Sequence, residues 1–267
     1  MKKFIIPLFL SIAFLSVSCS SDSENTEESN FSIPINIGDY WTYDVDTEGT
    51  ISRDSLFIQS EVQVNNFTYK KFETRNNTAT GFYSSVLRNN KVRKNGSKLL
   101  LSGDVALSAQ QNLPVNINLS LTDFVVFNSN AQNNQALNSS AVTGTINQTY
   151  NNYPLTITYS LQSYGGETFT SYTSPDGSNY SNVKSTKIKL NVGVTTVQNA
   201  GVISIPITVL APQDFIISTL YLADGIGVVH VNTDTSYTIN PLLPINLGIP
   251  SSATQNQKEY LDTYVIN

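Results

Sequence analysis

The sequence is poor in sulfur, in histidine and in charge. Its 267 residues include one cysteine, one methionine and one histidine, and only 13% are Asp, Glu, Lys or Arg. A single cysteine has no partner for an internal disulfide, and zinc sites need several His or Cys ligands. The net charge of −5 argues against nucleic-acid binding, which requires a basic patch. We therefore predict no metal site and no nucleic-acid partner.

No catalytic pattern stands out in the sequence. A Gly-x-Ser-x-Gly nucleophile elbow is missing, and Gly225 and Gly227 lack the third glycine and the βαβ unit of a dinucleotide fingerprint. His230 lies on a predicted strand with Asp224 and Asp234 close in sequence, so a base and an orienting carboxylate could be imagined there. A lone histidine in such a strand is far more often structural. We predict no enzyme activity, no catalytic residue and no cofactor.

Three carboxylates near the start of the chain offer the oxygen ligands that calcium prefers. Asp44, Asp46 and Glu48 alternate along a predicted strand. Strand alternation places such residues on one solvated face in any case, so the pattern predicts no cation site.

The N-terminus has the parts of a secretory signal. Two lysines precede an apolar run at residues 4–17, and small residues lead from it into Cys19. The run is shorter than the roughly 20 residues of a membrane-spanning helix, and Pro7 interrupts it. We predict a signal peptide over residues 1–18.

The single cysteine indicates which kind of signal this is. The segment Leu15-Ser16-Val17-Ser18-Cys19 resembles the lipobox of bacterial lipoproteins, with serine where leucine is commonest, as in relaxed lipoboxes of Bacteroidota. The resemblance implies that the cysteine takes a diacylglyceryl group and that its amine is acylated, as by palmitate. Several acyl chains anchor a protein stably, whereas one does not. A plain signal peptide followed by a chance cysteine is the alternative, but a free thiol would be a liability in an oxidising compartment.

Residues 19–30 are polar and acidic and contain no large apolar side chain, so they are predicted to form a disordered tether. Asp22, Glu24, Glu27 and Glu28 resemble the acidic surface-export signal of Bacteroidota lipoproteins. The resemblance implies a lipid-anchored outer-membrane protein at the cell surface. A solvated linker without a sorting role is the alternative, and it would leave the domain on the periplasmic face.

The rest of the chain shows strand periodicity. Apolar and polar residues alternate at 115–121 and again at 188–194. Asn65-Asn66 separates two strand-like runs, as does Asn89-Asn90 between residues 82–87 and 91–93, and asparagine tolerates the positive φ of a hairpin turn.

These patterns predict a mainly β fold over residues 31–267, as one domain. Many short strands joined by turns favour an antiparallel β-sandwich or a partly open, curled β-barrel with very little helix. Residues 251–258 are the one stretch that suggests a helical turn, with a serine cap. The Asn-rich loop at residues 128–140 is the best candidate for an internal boundary.

Two stretches resemble the ends of uncharacterised, flavobacterial-type lipoproteins of Bacteroidota. They are the opening GDYWTY at residues 38–43 and the closing YLADGIGVV at residues 221–229. The resemblance covers only the ends of the domain, implies a β-rich envelope domain, and transfers no catalytic residue. A further stretch, Asp54-Ser55-Leu56, resembles the periplasmic O-glycosylation motif of the same phylum, which implies a glycan on Ser55.

We interpret the chain as a membrane-anchored, non-catalytic module that binds a glycan, lipid or protein. Exposed Tyr40, Trp41 and Tyr43 would suit a sugar, although core packing is their commoner use, and a hydrophobic cavity inside the sheet would favour lipid. Two alternatives remain open. A flat apolar patch would favour a structural or assembly accessory of an outer-membrane complex. A deep cleft with two Asp or Glu side chains would favour a hydrolase with dispersed carboxylates.

Overall fold

The computed structural model describes residues 31–107, 117–200 and 203–267, which form twelve antiparallel strands and one short α-helix. The prediction of a mainly β antiparallel fold with almost no helix is confirmed. The elements are β1 (Tyr40–Thr47), β2 (Thr50–Val64), β3 (Phe67–Thr74), α1 (Phe82–Leu87), β4 (Lys91–Asn95), β5 (Lys98–Leu107), β6 (Ile117–Asn128), β7 (Val142–Tyr150), β8 (Tyr153–Thr173), β9 (Asn179–Ala200), β10 (Ile203–Ala223), β11 (Gly227–Thr238) and β12 (Ser252–Val265), with a 3-10 turn at Arg75–Asn77.

The strands form a single sheet built from two meanders. Its order is β6-β5-β4-β3-β2-β1-β12-β11-β10-β9-β8-β7, so strands adjacent in the sheet are also consecutive in the chain, except where β1 pairs with β12. The two halves of the chain therefore join through the contact between its first and last strands. The edges of the sheet are β6 and β7.

The sheet curls until the β6 edge meets β8 and β9, which makes a nearly closed barrel. Side chains bridge this seam. The hydroxyl of Thr186 donates to the carbonyl of Val126 at 2.9 Å, and that of Ser163 donates to the carbonyl of Val125. From the Asn-rich loop, Asn138 accepts from the Val125 N–H at 2.9 Å and donates to its carbonyl at 3.1 Å. The loop thereby satisfies backbone groups that an open sheet edge would leave unpaired.

The asparagine turn between β2 and β3 is confirmed, since Asn65 and Asn66 have φ values of 49° and 66°. Two local predictions are wrong. Residues 82–87 form α1 instead of a strand, because polar side chains of β12 bind the first N–H groups of a helix there. Residues 251–258 hold no helical turn, because β12 begins at Ser252 and pairs on both sides with β1 and β11. Sheet pairing outweighs weak local helix propensity at that position.

Two segments pack against the inner face of the curled sheet. The first is α1, which contacts β2 and β3. The second is the run of residues 31–37 that precedes β1, and we call it the strap. Within the described parts of the chain, no helix is long and apolar enough to cross a membrane.

Candidate functional site

The curled sheet encloses an apolar cavity of about 90 Å³. Side chains from both halves of the sheet, from α1 and from the strap line this cavity, and none of them carries a charge. The Thr186 hydroxyl faces it but is already bonded to two backbone carbonyls. A cavity with such a lining offers water few hydrogen-bond partners, so it favours an apolar occupant.

The single tryptophan of the chain lines this cavity. Trp41 is 3% exposed, stacks on Phe72 with 6.2 Å between ring centroids, and donates from Nε1 to the carbonyl of Ile226 at 2.8 Å. Tyr43 is fully buried nearby and donates its hydroxyl to the carbonyl of Val228 at 2.9 Å. Of the three aromatic residues considered for a sugar, Trp41 and Tyr43 thus pack in the core, which is the commoner use of such rings, and Tyr40 is half-buried.

The strap supplies the part of the cavity wall that does not belong to the sheet or to α1. Ile33 and Ile35 are buried and line the cavity together with Pro34. The Phe31 ring packs on the Phe127 ring at the end of β6, with 5.6 Å between centroids. The strap thus covers one end of the apolar interior.

Hydrogen bonds hold the strap near its two ends. The Ser32 N–H donates to Oδ1 of Asp224 at 2.7 Å, and the Asn36 N–H donates to Oδ2 of Asp39 at 2.6 Å. Among the described residues, no backbone hydrogen bond reaches residues 33–35 between these attachments. Burial of two isoleucine side chains therefore holds the middle of the strap in place.

One cation lies at the covered end of the cavity. Lys184 is half-buried, points to the same face of β9 as Thr186 two residues further on, and lies 5.5 Å from the Phe31 ring centroid. Its ammonium donates to the carbonyl of Ser129. The ion pairs of the described chain involve other lysines and arginines, so no carboxylate offsets this charge within 4.0 Å.

Two buried carboxylates bind the segment that begins α1. Glu259 of β12 accepts from the Tyr83 N–H at 2.6 Å and from the Ser84 N–H and hydroxyl at 3.3 and 2.9 Å. Asp54 of β2 accepts from the Gly81 N–H at 2.7 Å. These are the orphan donors of a helix N-terminus, which usually bind a local capping residue or water. Here strand carboxylates replace the cap, so both groups serve to position the helix.

Burial governs the protonation of this cluster. It raises the pKa of Glu259 to about 7, and the nearby charge of Asp54 acts in the same direction, whereas the N–H donors of Tyr83 and Ser84 oppose the change. Burial also raises the pKa of Tyr43 well above its ordinary value, with Tyr83 and Glu259 adding to the effect. Burial raises the pKa of Tyr83 as well, so Tyr43 and Tyr83 both stay neutral beside the carboxylate.

His230 lies in a stack of aromatic rings. Tyr221 and Tyr260 stack on its two sides at centroid distances of 5.1 and 5.2 Å, and its Nδ1 shares a hydrogen bond of 2.6 Å with the Tyr172 hydroxyl. The residue is 3% exposed, and its Nε2 has no partner among the described residues. Burial lowers the pKa of His230 to about 4, so the ring is neutral at pH 7.

The aspartates near His230 in sequence do not orient it. Asp224 accepts from the Asn182 side chain at 2.8 Å and from the strap, and Asp234 accepts from the Asn232 side chain at 2.9 Å. The geometry of a general base with an orienting carboxylate is not formed, and the imidazole is used for packing.

The modification sites predicted from sequence fall in different parts of the structure. Ser55 is half-buried on β2, where its Oγ accepts a hydrogen bond of 3.2 Å from the Tyr40 hydroxyl. Asp54, the preceding residue of the motif, is the carboxylate that binds the start of α1. Cys19 and the tether of residues 19–30 lie outside the described residues. Lipidation of Cys19 and glycosylation of Ser55 stay predictions.

Two of the three alternating carboxylates near the start of the chain bind neighbouring residues. Asp44 pairs with Arg53 at 3.3 Å, and Asp46 accepts from the Gly49 N–H at 2.7 Å, while Glu48 lies in the turn between them. In the described ranges, no group of three or more His, Cys, Asp or Glu is placed to hold a metal ion.

The sequence patterns did not identify the residues that shape the cavity. Ile33, Ile35 and Ile37 alternate as in a strand, yet the segment pairs with none of the described strands, and Pro34 within it has no N–H to donate. Lys184, Asp54 and Glu259 each sit in polar surroundings in the sequence. Their positions depend on which distant strands pair.

No family model matches the chain, and no curated protein matches its sequence. The crystal structure of a candidate lipoprotein from Parabacteroides distasonis ATCC 8503 is similar, with a TM-score of 0.38 and 10% sequence identity, over 88% of this chain and 98% of that one. A likeness at this TM-score carries no argument about the fold or the function of this chain.

Proposed function

We propose that this chain is a membrane-anchored, non-catalytic module that binds the acyl chain of a lipid inside its curled sheet. The observation that carries the proposal is the uncharged cavity of about 90 Å³ at the centre of the core. Folded interiors are packed closely, and voids larger than a water molecule are few. An apolar chain entering this void gains dispersion contacts that its lining now lacks.

The positions of the aromatic residues favour lipid over glycan. Trp41 and Tyr43, which would suit a sugar on the surface, line or border the interior instead. The predicted anchor on Cys19 adds a second argument. A tether over residues 19–30 spans at most about 40 Å, which keeps the cavity close to the membrane that supplies acyl chains. The anchor implies a domain at the outer membrane, facing the cell surface or the periplasm.

Trp41 provides the test, because it is the only tryptophan and lines the cavity. The full chain carrying Cys19→Ser, which removes the predicted acylation site, is titrated with a dibrominated stearate while indole fluorescence is recorded. Bromine quenches an indole that it contacts. We expect saturable quenching, reversed by an excess of unbrominated stearate. Quenching that does not saturate, or that stearate does not reverse, would contradict binding in the cavity.

Two cavity-filling variants sharpen the test. Leu119→Phe and Val105→Phe each place a ring at a buried position of the cavity wall, and both should abolish the saturable quenching. Overpacking costs about 1–3 kcal/mol, so circular dichroism is used to show that each variant remains folded. Val197→Phe, at a valine that is 41% exposed, is the matched control and should bind as the parent does.

A further inference from the structure

We infer that the ligand is a free fatty acid, that it enters by displacing the strap, and that Lys184 binds its carboxylate. The inference rests on the proposed function and adds to it the chemical class of the head group and the route of entry.

The size of the cavity requires a moving part. Sites for drug-sized ligands occupy about 300–1,000 Å³, and the present volume is about 90 Å³. A long acyl chain therefore has to take space that protein atoms now fill. Most of the wall belongs to strands that hydrogen-bonded neighbours hold on both sides. Ile33 and Ile35 belong to the strap, whose middle has no such bonds, so the strap is the part of the wall that moves at least cost.

Lys184 lies where a head group would emerge. Thr186 lines the cavity, and Lys184 is two residues nearer the start of β9 on the same face, beside Phe31 of the strap. When the strap leaves, the ammonium loses the ring that covers it. A carboxylate at that position would form a charge-assisted hydrogen bond, and in the part of the chain that the structure describes no carboxylate lies within 4.0 Å of the ammonium.

Two other cations on nearby strands already pair with carboxylates. Lys189, on β9, pairs with Asp214 at 2.8 Å. Arg93, on β4, forms a bidentate ion pair with Asp123. Lys184 has no carboxylate within 4.0 Å among the described residues, so its charge is available to select an anionic head group over a neutral one.

The experiment compares a dibrominated stearate with its methyl ester in the full Cys19→Ser chain, with quenching of Trp41 as the readout. We expect the acid to bind about tenfold more tightly than the ester, which corresponds to one hydrogen bond to a charged group. Lys184→Met should abolish this preference by weakening the acid alone, and Lys184→Arg should retain it. Lys187→Met, on the opposite face of the same strand, is the control and should leave the preference intact.

The strap is tested in the same assay. Replacing Ile33 and Ile35 with alanine together removes apolar surface that the ligand has to displace, so both acid and ester should bind at least tenfold more tightly. The milder Ile33→Val and Ile35→Val provide the same test if the double variant fails to fold. Ile51→Ala, at an isoleucine that is 64% exposed, should change neither affinity.

The outcomes separate the two proposals. If Lys184→Met retains the preference for the acid, or if the strap variants bind no more tightly than the parent, this inference is overturned while acyl binding stands. If neither the acid nor the ester quenches Trp41 in a saturable way, the proposed function itself fails.

Discussion

Glu259 should make the stability of this protein depend on pH near neutrality. Its carboxyl group is 1% exposed, and burial raises its pKa from an ordinary 4.5 to about 7. The folded state therefore retains a proton that the unfolded chain releases between pH 4.5 and 7. Stability falls with rising pH wherever the native state binds more protons. The free energy of unfolding should thus decrease across this window and level off above it.

The magnitude follows from the size of the pKa change. Each pKa unit corresponds to 1.36 kcal/mol, so a rise from 4.5 to about 7 amounts to about 3 kcal/mol. Glu259→Gln removes the titration and keeps the shape of the side chain. The difference in unfolding free energy between parent and variant should therefore change by about 3 kcal/mol over the window, in favour of the variant as the pH rises. His230 titrates in both proteins, so its contribution cancels in the difference.

Urea denaturation at a series of pH values, followed by Trp41 fluorescence, measures this difference. Glu48→Gln, at an exposed turn, is the control and should track the parent at every pH. A constant difference between parent and Glu259→Gln from pH 4.5 to about pH 8 would refute the assignment, because Glu259 would then not titrate in this range.

Three further predictions concern other parts of the fold. Gly81→Ala should lower the free energy of unfolding by about 1–3 kcal/mol in urea denaturation, because a Cβ there would lie 2.2 Å from Oε2 of Glu259. In a Glu259→Ala background the same substitution should lower it much less. Asp123→Asn, which suits the φ of 50° at this position, should cost about 1–3 kcal/mol near neutral pH by breaking the bond to Arg93. Since Arg93 lowers the pKa of Asp123, this loss should shrink as acid protonates the carboxylate, and an undiminished loss in acid would contradict the charge-based account. His230, as the single histidine, should titrate near pH 4 by NMR, and a value near 6.5 would show a solvated ring.

The sequence predicted the parts of the fold that depend on local chemistry. Alternation at residues 188–194 reflects the period of two that any half-buried strand must have. The turn at Asn65-Asn66 follows from the tolerance of asparagine for positive φ. The scarcity of His and Cys, and the position of Cys19, are likewise properties of the sequence, whatever the chain folds into.

The local sequence patterns gave wrong secondary structure where contacts with distant strands determine the conformation. Residues 82–87 contain the aromatic and β-branched types of a strand, yet they form α1 because Glu259, more than 170 positions away, binds their N–H groups. Residues 251–258 have weak helix signals, but β1 and β11 supply pairing on both sides. Neither outcome could be predicted without the register of the sheet.

The candidate site was decided by tertiary structure almost entirely. From the sequence alone, Trp41 and Tyr43 could be either surface or core aromatic residues. The curl of the sheet places both of them in the interior. The cavity, the strap over it and Lys184 at its end come from segments 31–37, 119–127 and 184–228, which no short-range pattern connects. The physical reason is that strand alternation specifies only two faces, whereas the pairing of β1 with β12 and the closure at β6 determine which face becomes the interior.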